Sequence, residues 1–120
     1  MYPAPYALGK RGEQLACDFL QRKGLQLVAT NWRCKLGEID LIMQEGSTRA
    51  FVEVRLRSPT HFGEGYDTVA YEKQRKLIRA VKFYQQLEHY WGDIRFDVVS
   101  ITADGDGKPI IEHIENAFTL

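Results

Sequence analysis

Cysteine is scarce in this 120-residue chain: Cys17 and Cys34 are the only two, they lack CxxC spacing, and both sit among apolar neighbours. Such a pair builds neither a disulfide framework nor a zinc site, and reads as reduced, packed thiols of a cytoplasmic protein. Long apolar runs are also lacking, which argues against a bilayer-spanning helix. Residues 1–10 show no charged n-region followed by an apolar stretch, so neither secretion nor membrane insertion is expected. No internal repeat, low-complexity tract or Ser/Pro/Gly-rich linker interrupts the chain, and residues 1–120 read as one domain. Net charge is absent too, because 16 Lys plus Arg balance 16 Asp plus Glu. What is present is a globular composition, 44% apolar and 27% charged, which excludes disorder. A chain of this length buries roughly two thirds of its unfolded surface and needs no disulfide or structural metal to fold.

The charge is unevenly spread. Residues 1–82 carry 14 cations and nine carboxylates, and residues 83–120 carry two cations and seven carboxylates. Such a dipolar molecule could turn its N-terminal two thirds toward a phosphate backbone; the other reading is an ordinary solvated surface.

Hydrophobic spacing predicts a helix from about Lys10 to Lys23, with Leu15, Ala16, Phe19 and Leu20 as its apolar stripe and Gly24 as its stop. A strand follows over Leu25–Arg33. Residues 38–43 and 50–57 alternate around Glu45-Gly46-Ser47 and predict a hairpin. Ser58–Gly65, with Pro59 and two glycines, predicts a loop, and Thr68–His89 a long helix that ends near Gly92. Arg95–Ile101 and Ile110–Asn116 predict two last strands around the Asp104-Gly105-Asp106-Gly107 turn. The order α-β-β-β-α-β-β indicates an α/β fold in which helices flank a mixed sheet.

The hairpin carries the chemistry. Strand alternation puts Glu38, Asp40 and Ile42 on one face, and Phe51, Glu53, Arg55 and Arg57 on the matching face of the next strand. A two-residue turn at Gly46-Ser47 then sets Asp40 opposite Glu53 and Glu38 opposite Arg55, with opposed Cβ atoms about 4.5–5.5 Å apart. Carboxylates that close are stable only when one is protonated or a cation sits between them. Mg²⁺ is a natural cation, held by one or two carboxylates, waters and substrate phosphate. It would polarise a phosphodiester and lower the pKa of a bound water. The other reading is a solvated hairpin face on which Arg55 and Arg57 neutralise Glu38, Asp40 and Glu53.

The runs Gly37-Glu38-Ile39-Asp40-Leu41-Ile42 and Phe51-Val52-Glu53-Val54-Arg55 resemble the split acidic motif of the PD-(D/E)xK, or restriction-endonuclease-like, nucleases. Together with Gly9-x-x-Gly12-Glu13-x-x-Ala16, Asn31-Trp32-Arg33, Lys73-Gln74 and Arg95-Phe96-Asp97-Val98, they resemble the YraN-like bacterial family of predicted endonucleases. That family is distantly related to archaeal Holliday junction resolvases. The resemblance implies a restriction-endonuclease-like fold, with Asp40 and Glu53 as metal ligands and the Val54 carbonyl as a further one. Glu13 matches an acidic residue of the first helix in related resolvases; its other reading is a helix N-terminal acid favoured by the macrodipole. Gln74 precedes Leu77, Ile78 and Val81 by three, four and seven, which aims it at the packed side of its helix. In related nucleases a glutamine there approaches the active site. Arg55 departs from the motif's lysine, and since arginine stays protonated it is assigned charge stabilisation and no general-base role.

These residues lead to metal-dependent hydrolysis of a nucleic-acid phosphodiester, in branched DNA if the resolvase likeness extends so far. Mg²⁺ or Mn²⁺ would sit on Glu13, Asp40, Glu53 and Val54, with Arg55 and Gln74 assisting and Arg57, Lys73 and Lys76 contacting nucleic acid. DNA is favoured over RNA as partner, no membrane is expected, and paired cuts would require a homodimer. The alternatives are a non-catalytic nucleic-acid-binding module of the same fold, and a structural or adaptor domain whose acids are salt-bridged. Three side features stay outside this reading. His61 reads as a solvated loop histidine, and His89 and His113 have no ligand spacing. The Asp104–Gly107 run lacks the first ligand of a calcium loop, and Asp97 reads as a salt-bridge partner.

Overall fold

A computed structural model describes residues 5–57 and 66–119 of the chain, and the side chains of 11–57 and 71–119. The expected loop 58–65, with His61, lies outside them. Seven elements follow in the order α1 (Pro5–Arg22), β1 (Gln26–Cys34), β2 (Gly37–Glu45), β3 (Thr48–Leu56), α2 (Tyr66–Glu88), β4 (Asp93–Ala103) and β5 (Pro109–Phe118). This is the predicted order, with every element longer except β1, which keeps its length and shifts by one residue. α1 starts five residues ahead of the predicted Lys10, at Pro5, a residue preorganised for a first helical turn. It stops where expected: Lys23 N–H donates to the Phe19 carbonyl, and Gly24 takes a φ of 105°.

The five strands form one open sheet in chain order. All neighbours are antiparallel except β3 and β4, and α2 makes the crossover that a parallel pair requires. The hairpin turns at Gly46-Ser47, as predicted, with Glu45 opposite Thr48. α1 covers one face, where Ala16, Cys17 and Leu20 pack on Leu41, Met43, Ala50, Val52 and Val99. α2 covers the other, where Leu77, Ile78, Val81 and Tyr84 pack on Ile39, Ile42, Phe51 and Phe96. Among the described residues, no helix is long and apolar enough to cross a membrane.

The second layer corrects the expectation of a solvated, charged outer face on the hairpin. Ile42 and Phe51, placed by alternation beside Asp40 and Glu53, are fully buried beneath α2. Phe51 meets Tyr84 edge-on at 5.3 Å, and truncating so buried a ring to alanine costs about 3–5 kcal/mol. The acids therefore occupy the end of a strand pair that is buried on both sides at its middle. Alternation also breaks within β2, because Ile39 joins the α2 cluster whereas Leu41 joins the α1 cluster. The break falls at Asp40. On β1 it is matched between the pairs Thr30–Leu41 and Trp32–Ile39 by Asn31, whose φ is 50°. Asparagine tolerates that left-handed conformation better than most residues, which gives the Asn-Trp-Arg run a structural reason.

Candidate metal centre

β2 and β3 form a fork. Their pairing runs from Glu45–Thr48 to Leu41–Val52 and stops there. Beyond that point β2 stays with β1 as far as Gly37, and β3 stays with β4 as far as Leu56. Divergence leaves the inner backbone groups of both strands without a ladder partner, and such groups need one. Asp40 supplies it: the Val54 N–H donates to its Oδ2 at 2.9 Å. The predicted register thus brings Asp40 toward Glu53, but a side chain occupies the place where the next rung of the ladder would form.

The fork opens into a cleft of about 400 Å³ lined by Glu13 of α1, Glu38 and Asp40 of β2, Glu53, Val54 and Leu56 of β3, and Lys73, Lys76 and Leu77 of α2. Gly37 completes the wall where β2 passes under α2. A Cβ on Gly37 would stand 3.4 Å from the Lys76 carbonyl oxygen, an ordinary contact, and it is the φ of 155° that favours glycine here. Carboxylate oxygens of Glu13, Glu38 and Asp40 all lie within 4.8 Å of one another.

Like charges so close alter titration. Burial comes first in raising the Asp40 carboxyl to about 6; the Val54 N–H opposes the rise, and the charges of Glu13, Glu38 and Glu53 add to it. Glu53 is held differently. Its Oε2 accepts from Arg55 Nε at 3.0 Å, and the two side chains are only 15% and 9% exposed. Arg55 is therefore engaged with Glu53 and does not line the cleft. Glu38 is partly balanced from outside, by Arg33 at 3.6 Å on the solvent side.

Of the residues singled out from sequence, Glu13, Asp40, Glu53, Val54, Lys73 and Lys76 meet at the cleft. Gln74 does not line it: it is half-buried on α2, one residue round from Lys73. Arg57 lies just past β3, its N–H donating to the Ile101 carbonyl, and is also outside the lining. The reading from sequence passed over Glu38 as a ligand, although its spacing of two from Asp40 was the available sign.

A second polar cluster lies elsewhere in the sheet. Asp97 is fully buried and accepts from Arg95 Nε at 3.0 Å, the Asn116 N–H at 3.0 Å and His113 Nε2 at 2.8 Å. Lys23 Nζ reaches His113 Nδ1 at 2.7 Å; an ammonium only donates, so the imidazole carries its hydrogen on Nε2. Burial alone would raise Asp97, yet His113, the Asn116 N–H and Arg95 together bring it below its ordinary value. The residue is a structural salt-bridge partner, as expected of an acid on the Arg95 strand.

The three acids fit a hard divalent cation. They are oxygen donors from two elements, unlike the softer donors that zinc prefers, and the raised Asp40 reflects burial first and neighbouring negative charge second, both of which a bound cation would offset.

A family model described as uncharacterised protein family UPF0102 matches residues 12–101. The chain is 41% identical over 113 residues to a UPF0102 protein of Nocardia farcinica, covering 93% of this chain and 89% of that one. It is 49% identical over 114 residues to a UPF0102 protein of Legionella pneumophila, covering 92% of each. It is 40% identical over 117 residues to one of Pseudomonas putida, covering 96% and 95%.

Proposed function

The chain belongs to the UPF0102 family, the YraN-like group that its motifs resemble, and from that premise we propose that it is a metal-dependent endonuclease of restriction-endonuclease-like fold acting on DNA. The observation that carries this reading is the fork: three carboxylates and a backbone N–H converge at a strand divergence, across a cleft from two lysines. An acid-only pocket would hold a cation and nothing more. Opposed lysines add a place for a phosphodiester beside it.

Mg²⁺ or Mn²⁺ would be held by Asp40, Glu13 and Glu38, with Glu53 on the facing strand, and would supply a polarised phosphoryl oxygen and a water of lowered pKa. The chain's own residues do the rest. Asp40, fixed by the Val54 N–H, orients the donor set. Lys73 and Lys76 draw the phosphate to the open side of the cleft and offset charge that develops on it. Arg55 pins Glu53 and keeps the β3 wall close to neutral.

That same Arg55–Glu53 pair favours a second reading, a nucleic-acid-binding module without turnover, because the guanidinium already neutralises one motif acid. Two measurements decide. Calorimetric titration with Mn²⁺ should give one site that Asp40→Ala removes. Incubation of linear, flapped and branched DNA with Mg²⁺ should give cleavage that Asp40→Ala abolishes and Arg55→Lys preserves. Salt-sensitive binding without cutting of any substrate would overturn the enzymatic reading in favour of the binding module.

A further inference from the structure

α2 continues the basic side of the cleft onto its outer surface. From Lys73 to Lys82 it carries five cations, Lys73, Arg75, Lys76, Arg79 and Lys82, and no carboxylate, in a chain whose charges balance overall. Four of them, at 73, 76, 79 and 82, recur at intervals of three. On an α-helix each such step rises about 4.5 Å and falls about 60° short of a full turn. The four therefore form one oblique ridge about 14 Å long that winds half-way around the helix, with successive Cβ atoms about 5–6 Å apart.

Both ends of the ridge are placed by observation. Lys73 and Lys76 line the cleft. The sheet-facing side of α2 is taken by Leu77, Ile78, Val81 and Tyr84, so Arg79 and Lys82 stand on the side turned to solvent, where both are exposed, as is Arg75 beside them. Among the described residues, Arg75, Arg79 and Lys82 have no ion-pair partner. Solvated surface helices ordinarily mix both signs at spacings of three and four. Here one carboxylate, Glu72, stands at the start of the ridge, and from Lys73 to Lys82 the helix presents a single sign from cleft to outer face.

We propose that the ridge Lys73–Lys76–Arg79–Lys82, flanked by Arg75, is the track along which one polynucleotide backbone leaves the cleft, so that the substrate is a chain with an arm of several phosphates on that side, not a nucleotide or dinucleotide. The proposal rests on the endonuclease reading and names the substrate class of the same site. Charge complementarity commits the ridge to a polyanion. Its oblique course from the mouth of the acid cleft favours a strand that passes through the cleft over a flat anionic surface touching only the outer face.

The test uses the full chain with EDTA present, so that binding is read without cleavage. Fluorescence anisotropy follows a labelled duplex DNA across a series of salt concentrations, for the wild type, Arg79→Gln/Lys82→Gln, and a matched control, Arg22→Gln/Lys108→Gln. Glutamine keeps helix propensity on an exposed face, and circular dichroism confirms the fold of each variant. Losing two phosphate contacts should lower the slope of log affinity against log salt by about 2 and weaken binding at least tenfold at low salt. The control should keep the wild-type slope. Shortening the duplex until it no longer reaches beyond the cleft should bring wild type and ridge variant to equal affinity.

A wild type that binds no polynucleotide overturns the endonuclease reading and the ridge with it. Duplex binding with the same slope in wild type and ridge variant overturns the ridge alone. Retention of the wild type, but not the variant, on phosphatidylserine vesicles while duplex binding is equal in both would assign the ridge to a membrane and overturn the proposal.

Discussion

At the scale of single residues, Asp40 is where chain geometry and electrostatics meet. The turn length and strand alternation made Asp40 and Glu53 legible as a facing pair. The fork was not legible, because it depends on which outer neighbours β2 and β3 keep, and neither strand's own sequence records that. Glu38 was hidden for the same reason: in an unbroken ladder it pairs with Arg55, but Arg55 turns to Glu53 and Glu38 joins Glu13 and Asp40. A carboxyl raised to about 6 binds its proton more tightly in the folded than in the unfolded chain. The metal-free protein should therefore lose stability as pH rises from about 4 to about 6, with the penalty, on the order of 3 kcal/mol, fully present above that range. Asp40→Asn keeps an oxygen for the Val54 N–H and removes the charge. Urea melts across this pH range should show a flatter profile for the variant and a gain of that order at neutral pH. A variant less stable than wild type at neutral pH would show that burial and the charges of Glu13, Glu38 and Glu53 do not disfavour the Asp40 carboxylate as described.

At the scale of elements, the order and kind of all seven followed from hydrophobic spacing and turn chemistry, whereas their lengths and second buried face did not. β3 illustrates the difference. Its alternation, Phe51-Val52-Glu53-Val54-Arg55, suits a half-solvated strand, and only the parallel pairing with β4 under α2 makes it central. Where β2 passes under α2, Gly37 holds a φ of 155°, a conformation that a side chain strains although the Lys76 carbonyl at 3.4 Å would leave space for a Cβ. Gly37→Ala should cost about 1–2 kcal/mol in a thermal melt and weaken Mn²⁺ binding by shifting Glu38 and Asp40. On β4, Asp97 does for the far edge of the sheet what Asp40 does for the fork. It is the acceptor that secures β5 through His113 and the Asn116 N–H, at a point where the β4–β5 register shifts. Asp97→Ala would leave the Arg95 Nε–H, the His113 Nε2–H and a buried backbone N–H without their acceptor, with Arg95 still held by Glu45 at 2.7 Å, and should destabilise by about 3–5 kcal/mol. Because its carboxyl is held below the ordinary range, its contribution is complete above about pH 4 and is lost as pH falls through the lowered value. Acid unfolding should thus begin at higher pH, or at lower denaturant, in any variant that weakens the His113 or Arg95 bond.

At the scale of the whole molecule, the cleft joins parts that otherwise touch through different cores. Glu13 belongs to the helix on one face of the sheet, Lys73 and Lys76 to the helix on the other, and the acids of β2 and β3 to the two arms of the fork between them. A cation bound by Glu13, Glu38 and Asp40 would tie α1 to the fork and offset the burial and repulsion that disfavour the Asp40 carboxylate, and it would bind the folded chain alone. Mass action then sets the size of the effect. At a free concentration about 100 times the dissociation constant, stability rises by about 2.7 kcal/mol. For a domain of this size each kcal/mol moves the melting temperature by roughly 3–6 °C, so Mn²⁺ should raise it by about 10 °C. Glu13→Gln and Asp40→Asn should each lose most of that rise. Glu115→Gln, whose acid lies on β5 against Lys23, should keep it in full. Hydrogen exchange places the same effect in space: Mn²⁺ should slow exchange at the Val54 N–H and across Gly37–Asp40, where β2 and β3 no longer pair, more than in the β4–β5 ladder. Equal slowing throughout the sheet, or a melting shift that survives both Glu13→Gln and Asp40→Asn, would put the cation somewhere other than the fork.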